Sequence, residues 1–122
     1  MFHYFDVQDR ITIGSFTTIA GLSSAFWTHY IDVTTNAQSA KPVSIGAYCM
    51  VGSHVRFVPG AAVPDCCVVA MGAIVTKPFT ETHRLIGGFP AEVIRTLPRD
   101  AAYFHRQEGY VASFTAPPYE HG

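Results

Sequence analysis

The sequence predicts an all-β fold, a parallel β-helix built from six-residue repeats, on three observations. Apolar anchors recur at every sixth position in two registers, Val7, Ile13, Ile19, Ala25 and Ile31, then Ile45, Val51, Phe57, Val63, Val69 and Val75. The position after an anchor is often tiny, as at Gly14, Ala20, Gly46, Gly52 and Ala70. The residue four places after an anchor is usually small, in the set Thr17, Ser23, Cys49, Val55, Ala61, Cys67 and Ala73. Repetition at one fixed period is typical of repeat architectures.

A six-residue period has a simple physical explanation in a triangular coil. Side chains alternate along a strand, so an anchor and the residue four places later lie on the same face. A turn then starts the next strand, and three strands close one coil. The anchor fills the interior and the small residue lets the corner fit. A β-sandwich of short strands is the alternative, but ten bulky anchors in two registers favour the repeat.

The register breaks once, between Ile31 and Ile45, which are 14 positions apart, two more than a multiple of six. The polar run over residues 32–42 is the predicted loop. Beyond the last anchor, the segment Gly87-Gly88-Phe89-Pro90 predicts a turn that leaves the coil. Asp100 is placed to cap a short helix over residues 101–107. We expect a β-helix domain over residues 1–95, followed by a C-terminal helix and an extended tail over residues 96–122.

The composition bounds the class of protein. A chain of 122 residues with 48% apolar and 14% charged residues suits one domain with a buried core. A net charge of −1 without a basic stripe disfavours nucleic acid and anionic membranes as partners. Three cysteines without a C-x-x-C pair indicate free thiols rather than a disulfide framework or zinc. With no apolar run of about 20 residues and no leader-like N-terminus, we expect a cytoplasmic protein without a membrane span.

Four local segments resemble the hexapeptide-repeat acetyltransferases, in the branch that acetylates hydroxyls of sugars, polysaccharides and antibiotics. They are Thr28-His29-Tyr30-Ile31-Asp32, Gly52-Ser53-His54-Val55, Gly72-Ala73-Ile74-Val75-Thr76-Lys77, and Gly87-Gly88-Phe89-Pro90-Ala91 with Val93-Ile94-Arg95. The resemblance covers roughly residues 7 to 95. It implies that the β-helix is left-handed, that the chain forms a homotrimer, and that acetyl-CoA binds in a groove between subunits, with no metal.

The resemblance makes His29 the catalytic base, and the residue pattern agrees. Histidine as a residue type titrates near neutrality and suits proton transfer from a hydroxyl. His29 follows Ala25 by four places, where the repeat has small inward side chains, so its polar ring predicts a local distortion that turns it outward. A structural histidine is the alternative. Asp32 either orients the imidazole or caps the loop turn, and both readings stay open.

Aromatic residues surround the candidate base. Phe26, Trp27 and Tyr30 would form a wall that stacks on a sugar ring or an apolar acceptor. Packing at a subunit interface is the alternative for these three side chains.

The resemblance also assigns the coenzyme site. Its members are Ser53 at the thioester, Gly72 and Ala73 along the pantetheine, Thr76 and Lys77 near the phosphates, and Arg95 at the adenosine end. A solvated corner lysine is the alternative for Lys77. Two departures stand out, because Met50 and Glu92 occupy positions where many relatives carry Trp and Lys or Arg.

The predicted function is therefore an acetyl-CoA-dependent O-acetyltransferase acting on a sugar or polysaccharide-precursor hydroxyl. The alternatives are an N-acetyltransferase for an amino sugar and a non-catalytic trimeric β-helix that serves as a scaffold or binding module. A zinc enzyme of the β-helix class would need a pair of histidines five positions apart. The histidines stand at positions 3, 29, 54, 83, 105 and 121, so no such pair exists.

Overall fold

The computed structural model describes residues 3–108, and there three stacks of short parallel strands surround one interior. Sheet A contains β1 (Tyr4–Phe5), β4 (Ala25–Phe26), β9 (Arg56–Phe57) and β12 (Ile74–Val75). Sheet B contains β2 (Ile11–Ile13), β7 (Val43–Ile45) and β10 (Ala62–Val63). Sheet C contains β3 (Thr18–Ile19), β8 (Met50–Val51), β11 (Val68–Val69), β13 (Arg84–Gly88) and β14 (Ala91–Thr96). The predicted parallel β-helix is confirmed.

The second register of anchors forms the core as predicted. Successive coils place Ile45 beside Val63, Val51 beside Val69, and Phe57 beside Val75. All six side chains are at most 2% exposed. The small residues four places later, Cys49, Val55, Ala61, Cys67 and Ala73, are at most 1% exposed at the corners. The six-residue period therefore specifies both the interior and the corners from Ile45 onward.

The predicted anchors of the first register are wrong at its two ends, Val7 and Ile31, and at Ala25. Val7 is 73% exposed and Ile31 is 63% exposed, so neither is an anchor. Phe26, not Ala25, lies beside Phe57 in sheet A. The reason is one extra residue in the turn before β4, since Ile19 and Phe26 are seven positions apart.

The same extra residue moves the corner position. Ser24 is fully buried there, whereas Ser23 adopts a left-handed backbone conformation with φ of 61°. Ser23 therefore occupies the turn rather than the small corner position that the sequence predicted.

The break in the repeat is an antiparallel hairpin rather than an irregular loop. It consists of β5 (His29–Asp32) and β6 (Ala37–Ala40), with His29 opposite Ala40 and Asp32 opposite Ala37. The insertion therefore starts three residues earlier than the predicted loop over residues 32–42. We call this hairpin, residues 29–40, the arm.

The C-terminal part adds an antiparallel strand to sheet C and ends in a short 3-10 helix. The predicted turn at Phe89 and Pro90 is confirmed and joins β13 to the antiparallel β14. A short 3-10 helix spans Ala102–His105, but Ala101 is its N-cap and no side chain caps it, so the cap predicted for Asp100 is wrong. The division at residue 95 stays a prediction, and the predicted extended tail lies outside the described residues.

The segment over residues 97–106 packs back along the corner between sheets B and C. The Tyr103 hydroxyl donates to Cys49 O and to Thr18 Oγ1, both at 2.8 Å. The Arg106 guanidinium stacks on the Tyr103 ring at 4.0 Å and hydrogen-bonds to Phe16 O. These contacts link the end of the described chain to its first coils. None of the helices in residues 3–108 has both the length and the apolar character needed to cross a bilayer.

Candidate active site

The arm leaves the β-helix at the end of β4 and forms one wall of an open cleft. The cleft has a volume of about 240 Å³ and is lined by Gln8, His29, Gln38, Ser39 and Ala40. His29 is the first residue of the arm, so its ring lies outside the core. The predicted outward presentation of this side chain is confirmed.

The imidazole of His29 is held by the carboxylate of Asp6. The His29 Nδ1 atom hydrogen-bonds to Asp6 Oδ2, and the two side chains are 43% and 7% exposed. An ionised carboxylate only accepts hydrogen bonds, so Nδ1 carries the proton. In the neutral ring the lone pair is then on Nε2, the atom that a base uses.

Asp6 is organised to stay ionised. Burial raises the pKa of its carboxyl, but hydrogen bonds from His29 and Thr28 outweigh burial and hold the pKa below its usual value. Asp6 Oδ2 accepts the backbone N–H groups of Thr28 at 3.1 Å and of His29 at 3.0 Å. Asp6 therefore fixes both the backbone and the ring of His29.

Asp32 serves the turn of the arm instead. Its Oδ1 atom accepts the backbone N–H groups of Thr34 at 2.9 Å and of Thr35 at 3.4 Å. Of the two readings of Asp32, the structure supports turn capping, and the orienting carboxylate belongs to Asp6.

The aromatic residues separate into different environments. Phe26 is fully buried and stacks between Phe5 and Phe57, each with ring centroids 4.7 Å away, so the prediction that it faces substrate is wrong. Trp27 is 38% exposed and lies 6.4 Å from the His29 ring. Tyr30 points to the opposite face of β5 from His29. Of these residues, Trp27 is the one next to the candidate base.

Tyr30 and Trp27 also have neighbours of their own. Lys41 Nζ lies 5.4 Å from the Tyr30 ring centroid, a cation–π arrangement. Trp27 packs against Tyr4 with ring centroids 4.7 Å apart. Each ring therefore has a packing partner outside the arm, Lys41 for Tyr30 and Tyr4 for Trp27.

Two of the predicted coenzyme residues are neighbours at the turns that lead into sheet A. Ser53 O accepts the Gly72 N–H at 2.9 Å, and Ser53 Oγ accepts the Leu22 N–H at 3.0 Å. No atom would touch a Cβ at Gly72 within 4 Å, so its backbone is open to a ligand. Ala73 points its side chain into the core, so only its backbone is available.

Of the other predicted coenzyme residues, Thr76 and Lys77 follow β12 of sheet A and Arg95 lies in β14 of sheet C. Thr76, Lys77 and Arg95 are exposed. Lys77 Nζ pairs with Glu92 at 2.6 and 3.0 Å, so its charge is partly neutralised within the chain. Ser53 and Gly72 precede the strands of sheet A, whereas His29 and Lys77 follow them. Within one chain, Ser53 and Gly72 therefore lie at one end of the strands of sheet A, and His29 and Lys77 lie at the other.

Thiol and metal chemistry find little support in this structure. All three cysteines are free. Burial raises the pKa of the Cys49 thiol to about 12, which disfavours the thiolate that a cysteine nucleophile needs. Within residues 3–108, no three His, Cys, Asp or Glu side chains converge as a metal site.

Comparisons with known proteins find acetyltransferases among both the sequence relatives and the solved structures. No protein-family model matches the chain. A Staphylococcus aureus (strain COL) protein assigned as an acetyltransferase is 33% identical over 63 residues, which are 52% of this chain and 31% of that protein. The chain thus spans about a third of the length of the curated relatives it matches.

Solved structures match over more of the chain. A galactoside acetyltransferase in complex with coenzyme A superposes with a TM-score of 0.72 and 24% identity, over 91% of this chain and 57% of that one. A hexapeptide-repeat acetyltransferase from Vibrio cholerae, complexed with acetyl coenzyme A, gives 0.60 and 21%, over 79% and 65%. The chain has the fold of the hexapeptide-repeat acetyltransferases. This fold is a left-handed parallel β-helix, as the resemblance implied.

Within the hexapeptide-repeat fold, Asp6 is the site residue that the sequence did not reveal. It is 23 positions from His29, and no periodicity links the two. Val7 was the predicted anchor of this segment, and no role was predicted for Asp6. The available signal was a single carboxylate between Phe5 and Val7, in a short apolar run near the start of the repeat.

Proposed function

We propose that the chain is an acetyl-CoA-dependent acyltransferase that acetylates a hydroxyl of a sugar or polysaccharide precursor, with His29 as the general base. The observation that carries the proposal is the Asp6–His29 pair at the wall of an open cleft. A buried carboxylate that orients a solvent-facing imidazole is an arrangement suited to proton transfer. A non-catalytic scaffold gives no reason for such a pair.

The chemistry follows from the position of the proton. Nε2 of His29 removes the proton from the acceptor hydroxyl, and the oxygen gains nucleophilic character as the proton leaves. Asp6 stabilises the imidazolium that forms, because its carboxylate remains hydrogen-bonded to Nδ1. The acceptor oxygen bonds to the carbonyl carbon of the thioester, the carbon–sulfur bond breaks, and the imidazolium returns the proton to the departing sulfur, which leaves an acetyl ester and the free coenzyme thiol.

The backbone around Ser53 and Gly72 fits the co-substrate. Acetyl-CoA supplies an activated acetyl thioester. The open backbone at Gly72 allows an extended chain such as pantetheine to approach closely. Thr76, Lys77 and Arg95 would meet the phosphate and adenosine end, with Lys77 moving from Glu92 toward a phosphate.

A homotrimer would bring these two groups together. Within one chain, the strands of sheet A lie between His29 and Lys77 at one end and Ser53 and Gly72 at the other, whereas a groove between subunits joins groups from neighbouring copies. Exposed apolar side chains also support association, with Ile31 and Val33 on the arm at 63% and 87% exposure. We propose that each cleft is completed by the next subunit.

The test is an acetyl-transfer assay with neutral sugars and amino sugars, in which product analysis separates esters from amides. His29→Ala should lower kcat by about 10²–10⁴-fold, because general base catalysis contributes an effect of that size. Binding of acetyl-CoA, measured by calorimetry, should persist in this variant. His105→Ala removes an exposed histidine bonded to Arg99 O and is the matched control, expected to keep full activity.

Two results would refute the proposal. One is an absence of calorimetric binding by the wild type at millimolar acetyl-CoA. The other is full transfer activity in His29→Ala. Amides as the main products would keep the base and change the acceptor to an amine.

A further inference from the structure

Thr28 connects the arm to the segment that carries Asp6. Its side chain is fully buried. The Thr28 hydroxyl donates to Asp6 O at 2.7 Å and accepts the Asp9 N–H at 3.0 Å. Its own backbone N–H donates to Asp6 Oδ2 at 3.1 Å. The Thr28 hydroxyl also makes a long contact of 3.5 Å to Asp6 Oδ2, so one residue makes four hydrogen bonds to residues 6–9.

We propose that Thr28 is a positioning residue that sets the geometry of the Asp6–His29 pair through its hydroxyl group. This inference rests on the proposed role of His29 as a base. The bond to Asp6 O fixes the backbone from which the carboxylate projects. The hydrogen bond from the Asp9 N–H to the Thr28 hydroxyl holds the other end of this segment. Asp9 directly follows Gln8, which lines the cleft. The hydroxyl thus orders both the carboxylate and the facing wall of the cleft.

The hydroxyls of Thr17 and Ser24 occupy equivalent corners elsewhere in the fold and allow a comparison with Thr28. Thr17 Oγ1 donates to Gly46 O at 2.6 Å and accepts the Cys49 N–H at 3.0 Å. Ser24 Oγ donates to Gly52 O at 3.1 Å and accepts the Val55 N–H at 3.2 Å. Each of these groups bonds to the following coil and holds adjacent coils together.

Thr28 makes the same pair of bonds in the opposite direction. The arm begins at the next residue, so Thr28 bonds to the preceding segment, residues 6–9, instead of a following coil. The two hydrogen bonds that a corner hydroxyl makes elsewhere are therefore made, at Thr28, to the segment that carries the Asp6 carboxylate. This difference separates a positioning role from the ordinary corner role of Thr17.

The comparison of Thr28→Val with Thr17→Val tests the proposal. Both substitutions keep the side-chain shape, replace the hydroxyl by a methyl group, and leave a carbonyl and an N–H without their partner. The unpaired groups in Thr28→Val lie in the segment that carries Asp6, so the carboxylate should lose its position beside His29 and kcat should fall about tenfold or more, with the KM for acetyl-CoA unchanged. Thr17→Val should keep the wild-type kcat. Thr28→Ser keeps the hydroxyl and should retain kcat within about twofold.

A second readout does not need turnover. The Nδ1 proton shared by His29 and Asp6 should give a low-field proton resonance in the wild type, in Thr28→Ser and in Thr17→Val, and the resonance should be lost or broadened in Thr28→Val. An inactive wild type that shows this pattern would refute the proposed function and leave the positioning role standing. Retention of kcat and of the resonance in Thr28→Val would overturn the inference. If Thr28→Val does not fold, loss of the resonance in Thr28→Ser overturns it instead.

Discussion

At the scale of single residues, Asp6 has the greatest influence on the site. Its Oδ2 atom accepts hydrogen bonds from two backbone N–H groups and from the His29 ring. These bonds exist fully only while the carboxyl is ionised. The protonation of one side chain therefore couples the folding of the first coil to the geometry of the candidate base.

This coupling predicts a pH dependence of stability. The pKa of Asp6 is lower in the folded protein than its usual value of 3.8, so the unfolded chain takes up the proton first as the pH falls. The stabilisation is present above the unfolded pKa and is lost as the pH falls through the folded pKa. In urea unfolding at several values between about pH 6 and pH 2, the stability difference between wild type and Asp6→Asn should shrink toward low pH. A difference that stays constant over this range would contradict the prediction.

At the scale of elements, the stack of aromatic rings in sheet A supports the base of the arm. Phe5, Phe26 and Phe57 lie on consecutive coils with nearly parallel rings. The chain passes directly from the buried Phe26 to Trp27, Thr28 and His29. The arm thus begins three residues after a ring that is packed in the core.

Because Phe26 is fully buried and does not line the cleft, its truncation should act on stability and not on acceptor recognition. Phe26→Ala should reduce the free energy of unfolding by about 3–5 kcal/mol, the usual range for a buried Phe. Phe26→Leu should cost less and keep the wild-type KM for the acceptor. Urea unfolding and steady-state kinetics measure the two effects. A raised acceptor KM in a stable Phe26→Leu variant would instead support the direct substrate contact that the sequence predicted.

At the scale of the whole molecule, one chain provides a complete interior but a divided site. The interior closes within each triangular coil, so stacking the coils is enough to form a core. His29 and the candidate coenzyme residues Ser53 and Gly72 lie at opposite ends of the strands of sheet A. Assembly of copies is therefore the step that would connect them.

Sedimentation equilibrium should give a mass three times the 13.3 kDa of one chain. The physical reason is burial of the exposed apolar residues and completion of the cleft by a neighbouring copy. Replacement of Val33 by Asp on the arm should weaken the trimer and lower activity together. A monomeric wild type with full acetyl transfer would contradict this prediction.

The sequence by itself determined the architecture wherever the period is strict. From Ile45 to Val75, each anchor and each small corner residue is set by its neighbours six positions away, so counting is enough to place them in the core. It also placed His29 outside the core, because an imidazole does not fit a corner built for alanine or cysteine. The exit turn at Phe89 and Pro90 followed from local turn chemistry.

Only the tertiary structure decided the first coil and the partner of His29. A single extra residue before Phe26 shifts the register, and a period cannot show where an insertion falls. The arm forms from residues that look like a polar loop, because its pairing is antiparallel and independent of the repeat. Asp6 and His29 are 23 positions apart and meet through direct hydrogen bonds, while the neighbouring Thr28 bonds to the Asp6 carbonyl. Such contacts depend on how coils stack in space, and neither composition nor spacing along the chain records that.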